Sequence, residues 1–110
     1  MSIKTWVERR FPEVFKDVSS KAHKIDQSCF QSSGAYPIID QGKQFIAGYV
    51  DDSSLVWQHE LPVIIFGDHT RAIKYINFPF VLGADGTKVL KPDDAIDPKF
   101  AYYALLSVNI

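Results

Sequence analysis

Seven side chains able to give or take hydrogen bonds gather at breaks between apolar runs: Gln41, Lys43 and Gln44 in one stretch, His69, Thr70, Arg71 and Lys74 in another. Their chemistry is recognition. Cations, carboxamides, a hydroxyl and an imidazole can each bind a polar partner, but the chain offers no nucleophile with a positioned base and no phosphate-cradling glycine loop. His59, Asp68 and His69 supply a metal-dependent alternative, since imidazole and carboxylate are ordinary zinc or iron ligands. They have no recognised spacing and lack obvious further ligands. Each feature also has a structural counterpart. Asp68 and Thr70 are what a tight turn uses to satisfy its own backbone donors. His69 can serve as a hydrogen-bonded structural histidine, and Arg71 and Lys74 suit the solvent face of a strand. Gly42 is read as conformational, whereas Gln41 and Lys43 fall at a hairpin tip with little packing to do.

These residues need a stiff support, and the stretch LPVIIFGDHTRAIKYINFPFVLGADGTKVLKP, residues 61–92, predicts one. Residues 61–66 are nearly all apolar and half β-branched, which suits a strand buried on both faces, and Gly67-Asp68 supplies turn chemistry. An extended run restarts at Ile73. Asp85-Gly86 is a hairpin signal leading into a strand over 87–90. Upstream, residues 36–40 and 44–50 flank Gln41-Gly42-Lys43 and predict a first hairpin whose glycine can take a positive φ. Residues 3–7 read as a short strand, 12–15 as one helical turn, and 16–33 as loop with a short strand near Cys29-Phe30. Residues 51–54 and 93–97 read as exposed loops. Asp97 as N-cap and Pro98 at the first helical position predict a helix over 98–107, with Phe100, Tyr103, Ala104 and Leu105 near helical spacing. Tyr102 and Tyr103 are expected in its core and rim.

A chain of 110 residues with 46% hydrophobic and 14% aromatic content suits one domain with a β-rich core. The lone Cys29 cannot form an internal disulfide, and no apolar run is long enough to cross a bilayer, so a cytoplasmic home without membrane contact is expected. The net charge of −1 argues mildly against nucleic acid. It conceals a gradient: residues 1–44 carry seven basic against five acidic side chains, and residues 45–110 carry five against eight. Binding of a polyanion would need a local patch, or a partner that brings more positive charge.

Three blocks in succession, GAYPIIDQGKQFIAGYVDD, the 61–92 stretch and DPKFAYYALLSV, together with VFKDVSSKAHKIDQS before them, resemble the target recognition domain of the specificity subunit of type I restriction-modification systems. The resemblance runs from about Val14 to Val108. It implies a β-rich α+β domain, with a twisted, mostly antiparallel sheet, hairpins and a C-terminal helix. It further implies duplex DNA as ligand, one half of a split recognition sequence being read mainly through the major groove, where the donor and acceptor pattern separates all four base pairs. The implied partners are the adenine methyltransferase subunit and the restriction subunit. The domain has no catalysis and no cofactor of its own.

On this resemblance the DNA-binding residues are Gln41, Lys43, Gln44, His69, Thr70, Arg71 and Lys74. Gln41 and Gln44 suit adenine, Arg71, Lys43 or Lys74 suit guanine, and Thr70 suits a thymine methyl or a phosphate. A complete family domain continues past the C-terminal helix and is followed by a long helix forming a coiled coil. No heptad run is present before Ile110, so residues 1–110 are expected to form the N-terminal part of such a domain, with self-association through an incomplete core. The alternative function is that of a truncated specificity subunit acting as a protein-interaction or regulatory module without DNA binding of its own.

Overall fold

A strand such as VIIFG, apolar at every position before its glycine, is stable only where both of its faces are covered. That is its position. A computed structural model describes residues 14–84 and 86–108, and in it β4 (Val63–Gly67) lies inside a four-stranded antiparallel sheet. Its neighbours are β5 (Ile73–Ile76) and β7 (Thr87–Pro92), and β1 (Phe15–Asp17) pairs with the far side of β7. A second sheet carries β2 (Tyr36–Ile39) at its centre, antiparallel to β3 (Gly48–Val50) and parallel to β6 (Val81–Leu82). With the helix α1 (Pro98–Val108), the chain is an α+β domain of seven strands and one α-helix among the described residues.

The period-two alternation of the strands sorts their side chains into layers. Ile64 of β4 and Leu90 of β7 meet Val14, Phe15, Ala101, Ala104 and Leu105 under the helix. Val63 and Ile65 face the other way, toward Val89, Ile76 and Phe80, where Ile39 and Leu82 of the second sheet close the central core. Ile38 and Val81 of that sheet turn outward onto Ile25, Val50 and Val56. Each fully buried Ile or Val contributes roughly 1.5–3 kcal/mol. The double burial of β4 therefore joins the helix layer to the second sheet.

The helix begins as expected. The Asp97 carboxylate accepts from the amides of Lys99 (2.8 Å) and Phe100 (3.2 Å), satisfying two donors that the first turn leaves open. Its inner face differs from expectation: Ala101, Ala104 and Leu105 are buried, whereas Phe100 and Tyr103 are 48% and 63% exposed. Two alanines allow the helix to lie close on the sheet, and Tyr102 reaches Tyr75 of β5 with ring centroids 5.7 Å apart.

Other expectations change in instructive ways. The sheet is two sheets, one of which contains a parallel pair. The strand near Cys29-Phe30 is instead a 3-10 turn (Gln27–Cys29), while Phe15–Asp17, within a stretch read mostly as loop, is a strand. The Asp85-Gly86 hairpin does not form, because β6 and β7 pair in different sheets; Gly86 (φ +70°) is a turn between them, and Asp85 lies outside the described residues. The expected strand over 3–7 also lies outside them, as do Pro12 and Glu13 of the expected helical turn. The β2–β3 hairpin forms, but its connection spans residues 40–47, and Gly42 keeps an ordinary φ. Its amide donates to Asp40 Oδ1 at 2.8 Å, so the aspartate shapes this loop.

Ser19 joins the edge strand to the sheet. Its hydroxyl donates to Asp17 Oδ1 (2.5 Å) and accepts from the buried Val89 amide (2.8 Å), and its own amide donates to the same carboxylate (2.9 Å). Burial pushes the Asp17 carboxyl up, but the two Ser19 bonds, aided by the charges of Lys88 and Lys24, outweigh it and hold the group below its ordinary value. Such a group stabilises the fold above its unfolded pKa, and that contribution is lost as pH falls through the depressed folded value. Asp17→Asn is accordingly less stable than the parent at neutral pH, and the difference shrinks in acid; urea unfolding at a series of pH values measures it. Ile64→Asp places a carboxylate between the helix and β4 and destabilises the domain by about 4 kcal/mol or more. Loss of cooperative thermal unfolding is the expected readout, and a native-like Ile64→Asp protein would remove β4 from the core.

Candidate recognition site

Three connections meet at one end of the two sheets: the loop 40–47 between β2 and β3, the turn 68–72 between β4 and β5, and the link from β6 to β7, of which Gly83 and Gly86 take part in the meeting. The backbone secures this meeting. The Gly83 amide donates to Ile39 O (2.9 Å) and the Asp68 amide to Gly86 O (2.9 Å), so the third connection is fastened to the end of β2, where the loop 40–47 begins, and to the turn 68–72.

Side chains then bind the two hairpin ends to each other across 28 to 34 residues of sequence. Gln41 Oε1 accepts from the amides of His69 (3.0 Å) and Thr70 (3.3 Å), and the Thr70 hydroxyl donates to the Gln41 carbonyl (2.6 Å) while accepting from the Ala72 amide (3.2 Å). Lys74, rising from β5, donates to the carbonyls of Asp40 (2.7 Å) and Gln44 (2.8 Å), with Asp40 Oδ1 4.0 Å away. Burial lowers its pKa, an effect the Asp40 charge partly opposes.

The seven expected residues are thus brought to one end of the molecule, in two different situations. Lys43, Gln44, His69, Thr70 and Arg71 are exposed. Gln41 is half-buried, with its amide oxygen directed at the neighbouring turn, and Lys74 is only 7% exposed. Lys74 therefore departs from the solvent-face position expected of it: its strand alternates in burial, but the face Lys74 occupies is covered by the second sheet's loop. In the 68–72 turn the backbone is served by Thr70, whereas the Asp68 carboxylate stands 4.0 Å from Lys88, a partly exposed pair of small energetic weight.

Two further residues escaped sequence reasoning. Asp40 anchors the loop from both its carbonyl and its carboxylate, yet in sequence it is one aspartate among several. Phe45, 47% exposed beside Lys43 and Gln44, meets Phe78 edge to face at 6.0 Å. His59 lies elsewhere, against Trp57 with ring centroids 5.0 Å apart. Among the described residues no three His, Cys, Asp or Glu side chains gather where a metal could be held.

Close approach of the loops explains one glycine. A Cβ on Gly67 would stand 2.5 Å from Gln41 Cβ and 2.7 Å from Thr70 Oγ1. Gly67→Ala therefore prises the two ends apart, at a cost of about 1–3 kcal/mol. Chemical denaturation reads that loss, and amide exchange at His69 and Thr70 speeds up selectively.

Comparison with known proteins gives one curated relative. The chain is 28% identical over 96 residues to the type I restriction enzyme EcoR124I/EcoR124II specificity subunit of Escherichia coli, an alignment covering 84% of this chain and 24% of that protein. The chain therefore spans about a quarter of the relative's length. No protein-family model matches the chain, and no solved structure matches it significantly.

Proposed function

We propose that this chain is a DNA target-recognition module, acting as part of the specificity component of a type I restriction-modification system. One observation carries the reading: two hairpin ends distant in sequence are locked together, and they present Lys43, Gln44, His69, Thr70 and Arg71 as one polar surface on rigid strands. Such a surface has the donors that base edges and phosphates accept, and its β scaffold is of a size that enters the major groove. Similarity to a specificity subunit favours the same reading.

Arg71 adds a second argument. It adopts φ +57°, the left-handed region, which costs a side-chain-bearing residue roughly 1–2 kcal/mol and glycine almost nothing. Backbone strain of this kind collects at binding sites, which agrees with a recognition role for the 68–72 turn.

In this role the module binds and positions; methylation and cleavage belong to the adenine methyltransferase and restriction subunits with which it assembles in the cytoplasm. Those partners would also supply positive charge that a chain of net −1 lacks. No helix among the described residues is long and apolar enough to cross a membrane. A role in protein interaction without DNA binding draws on the exposed Phe100 and Tyr103 of α1, which suit docking onto a partner subunit or a second copy.

Binding to duplex DNA, measured with and without the methyltransferase subunit, separates the two readings. Lys43→Ala weakens DNA binding roughly five- to hundred-fold while leaving unfolding stability within about 0.5 kcal/mol. Arg71→Gly weakens it similarly with little net change in stability, because relief of the backbone strain offsets the loss of any contact the side chain makes within the fold. Undiminished affinity in both variants, or no DNA binding under either condition, would refute the recognition role.

A further inference from the structure

We infer that Lys74 is a positioning residue: its buried ammonium fuses the two hairpin ends into one reading head, and so sets DNA affinity and base preference without touching DNA. This rests on the DNA-reading function proposed above and assigns to Lys74 a role different from the direct contact its sequence position suggests.

The geometry is specific. Lys74 belongs to the four-stranded sheet, but both of its short hydrogen bonds reach the loop of the other sheet, at the carbonyls of Asp40 and Gln44. Those two carbonyls bracket residues 41–43, so a single cation closes the base of the loop that carries Lys43. A residue that is 7% exposed and already donates to two carbonyls is poorly placed to reach a phosphate outside. The contacts between Gln41 and the His69–Thr70 backbone form a second tie above the first. With both in place, the loop 40–47 and the turn 68–72 cannot shift independently. Their ordering then occurs on folding and not at the moment of binding, which is how preorganisation raises affinity and sharpens discrimination.

A direct phosphate contact and a positioning role leave different marks. Each neutralised phosphate steepens the fall of log affinity with log salt by about 0.9, so removing a contact flattens that slope by about one. Removing a buried tie weakens binding with the slope unchanged. Lys74→Met suits the test because it keeps an unbranched chain of similar length in the buried site. Gly67→Ala is the companion variant, since it separates the same loops without altering any charge.

The experiment selects bound sequences from a random duplex library, using the full chain with its methyltransferase subunit, then measures affinity for the selected duplex over a salt series. Both variants are expected to bind roughly tenfold or more weakly, with an unchanged salt slope and a blurred base preference, and amide exchange in 40–47 and 68–72 is expected to accelerate. A slope flattened by about one in Lys74→Met, or parental affinity and preference in that variant, would overturn the inference. Should Lys74→Met not fold, Lys74→Gln, whose amide keeps a donor for the two carbonyls without the charge, takes its place under the same criteria. Absence of salt-sensitive binding by the parent would refute the DNA reading itself. Exchange in Lys74→Met then separates the two failures: unaltered loop protection overturns the tie as well, and accelerated exchange upholds it.

Discussion

Covering β4 on both faces is the constraint from which the rest of the architecture follows. Val63, Ile64 and Ile65 have essentially no solvent contact, so the helix must lie on one side and the second sheet on the other. The seven short strands and one α-helix of the described residues meet that demand by a division of the strands between two sheets. The division creates a mechanical problem. Sheets that meet mainly through apolar side chains resist separation but resist sliding less well, because hydrophobic contact has no preferred direction.

Directional bonds at one end solve it. Lys74 crosses from the first sheet to the loop of the second, Gln41 reaches back to the turn of the first, and Gly83 and Gly86 carry backbone bonds to both. Burying an ammonium is expensive unless its donors find partners, and here two carbonyl oxygens and a nearby carboxylate provide them. The polar cluster therefore fixes one geometry more than it adds stability. It also explains why the exposed donors of the two loops share one rim.

Much of this was legible in the sequence, and the failures have physical causes. The unbroken apolar run of β4, the Asp97-Pro98 helix start and the β2–β3 pairing each depend on local chemistry, and each formed. The helix forms where expected and buries Ala104 and Leu105 as expected, but Ala101 lies on its inner face in place of Phe100 and Tyr103, which carry more apolar area, because the contact with the sheet is close. Lys74 was misplaced for a related reason. The polarity of Lys74 pointed to the solvent face of its strand, but where both faces of a sheet are covered, polarity no longer marks the solvent. The meeting of Gln41 with Thr70 had no local signal at all, since it depends on how two sheets come together. Asp85-Gly86 looked like a hairpin because a dipeptide cannot report that its flanking strands belong to different sheets.

The parallel pairing of β2 with β6 bears on how the molecule comes into being. Ile38 lies beside Val81, and the parallel arrangement forces everything between them to be traversed before the second sheet can close. Contacts so remote along the chain carry a heavy loop-closure penalty and arise late in folding. The antiparallel β2–β3 and β4–β5 pairs are local and can appear earlier, each displaying its own half of the polar rim. A nascent or partly unfolded chain would thus own both halves and still lack the joined surface, which arises only with the completed fold.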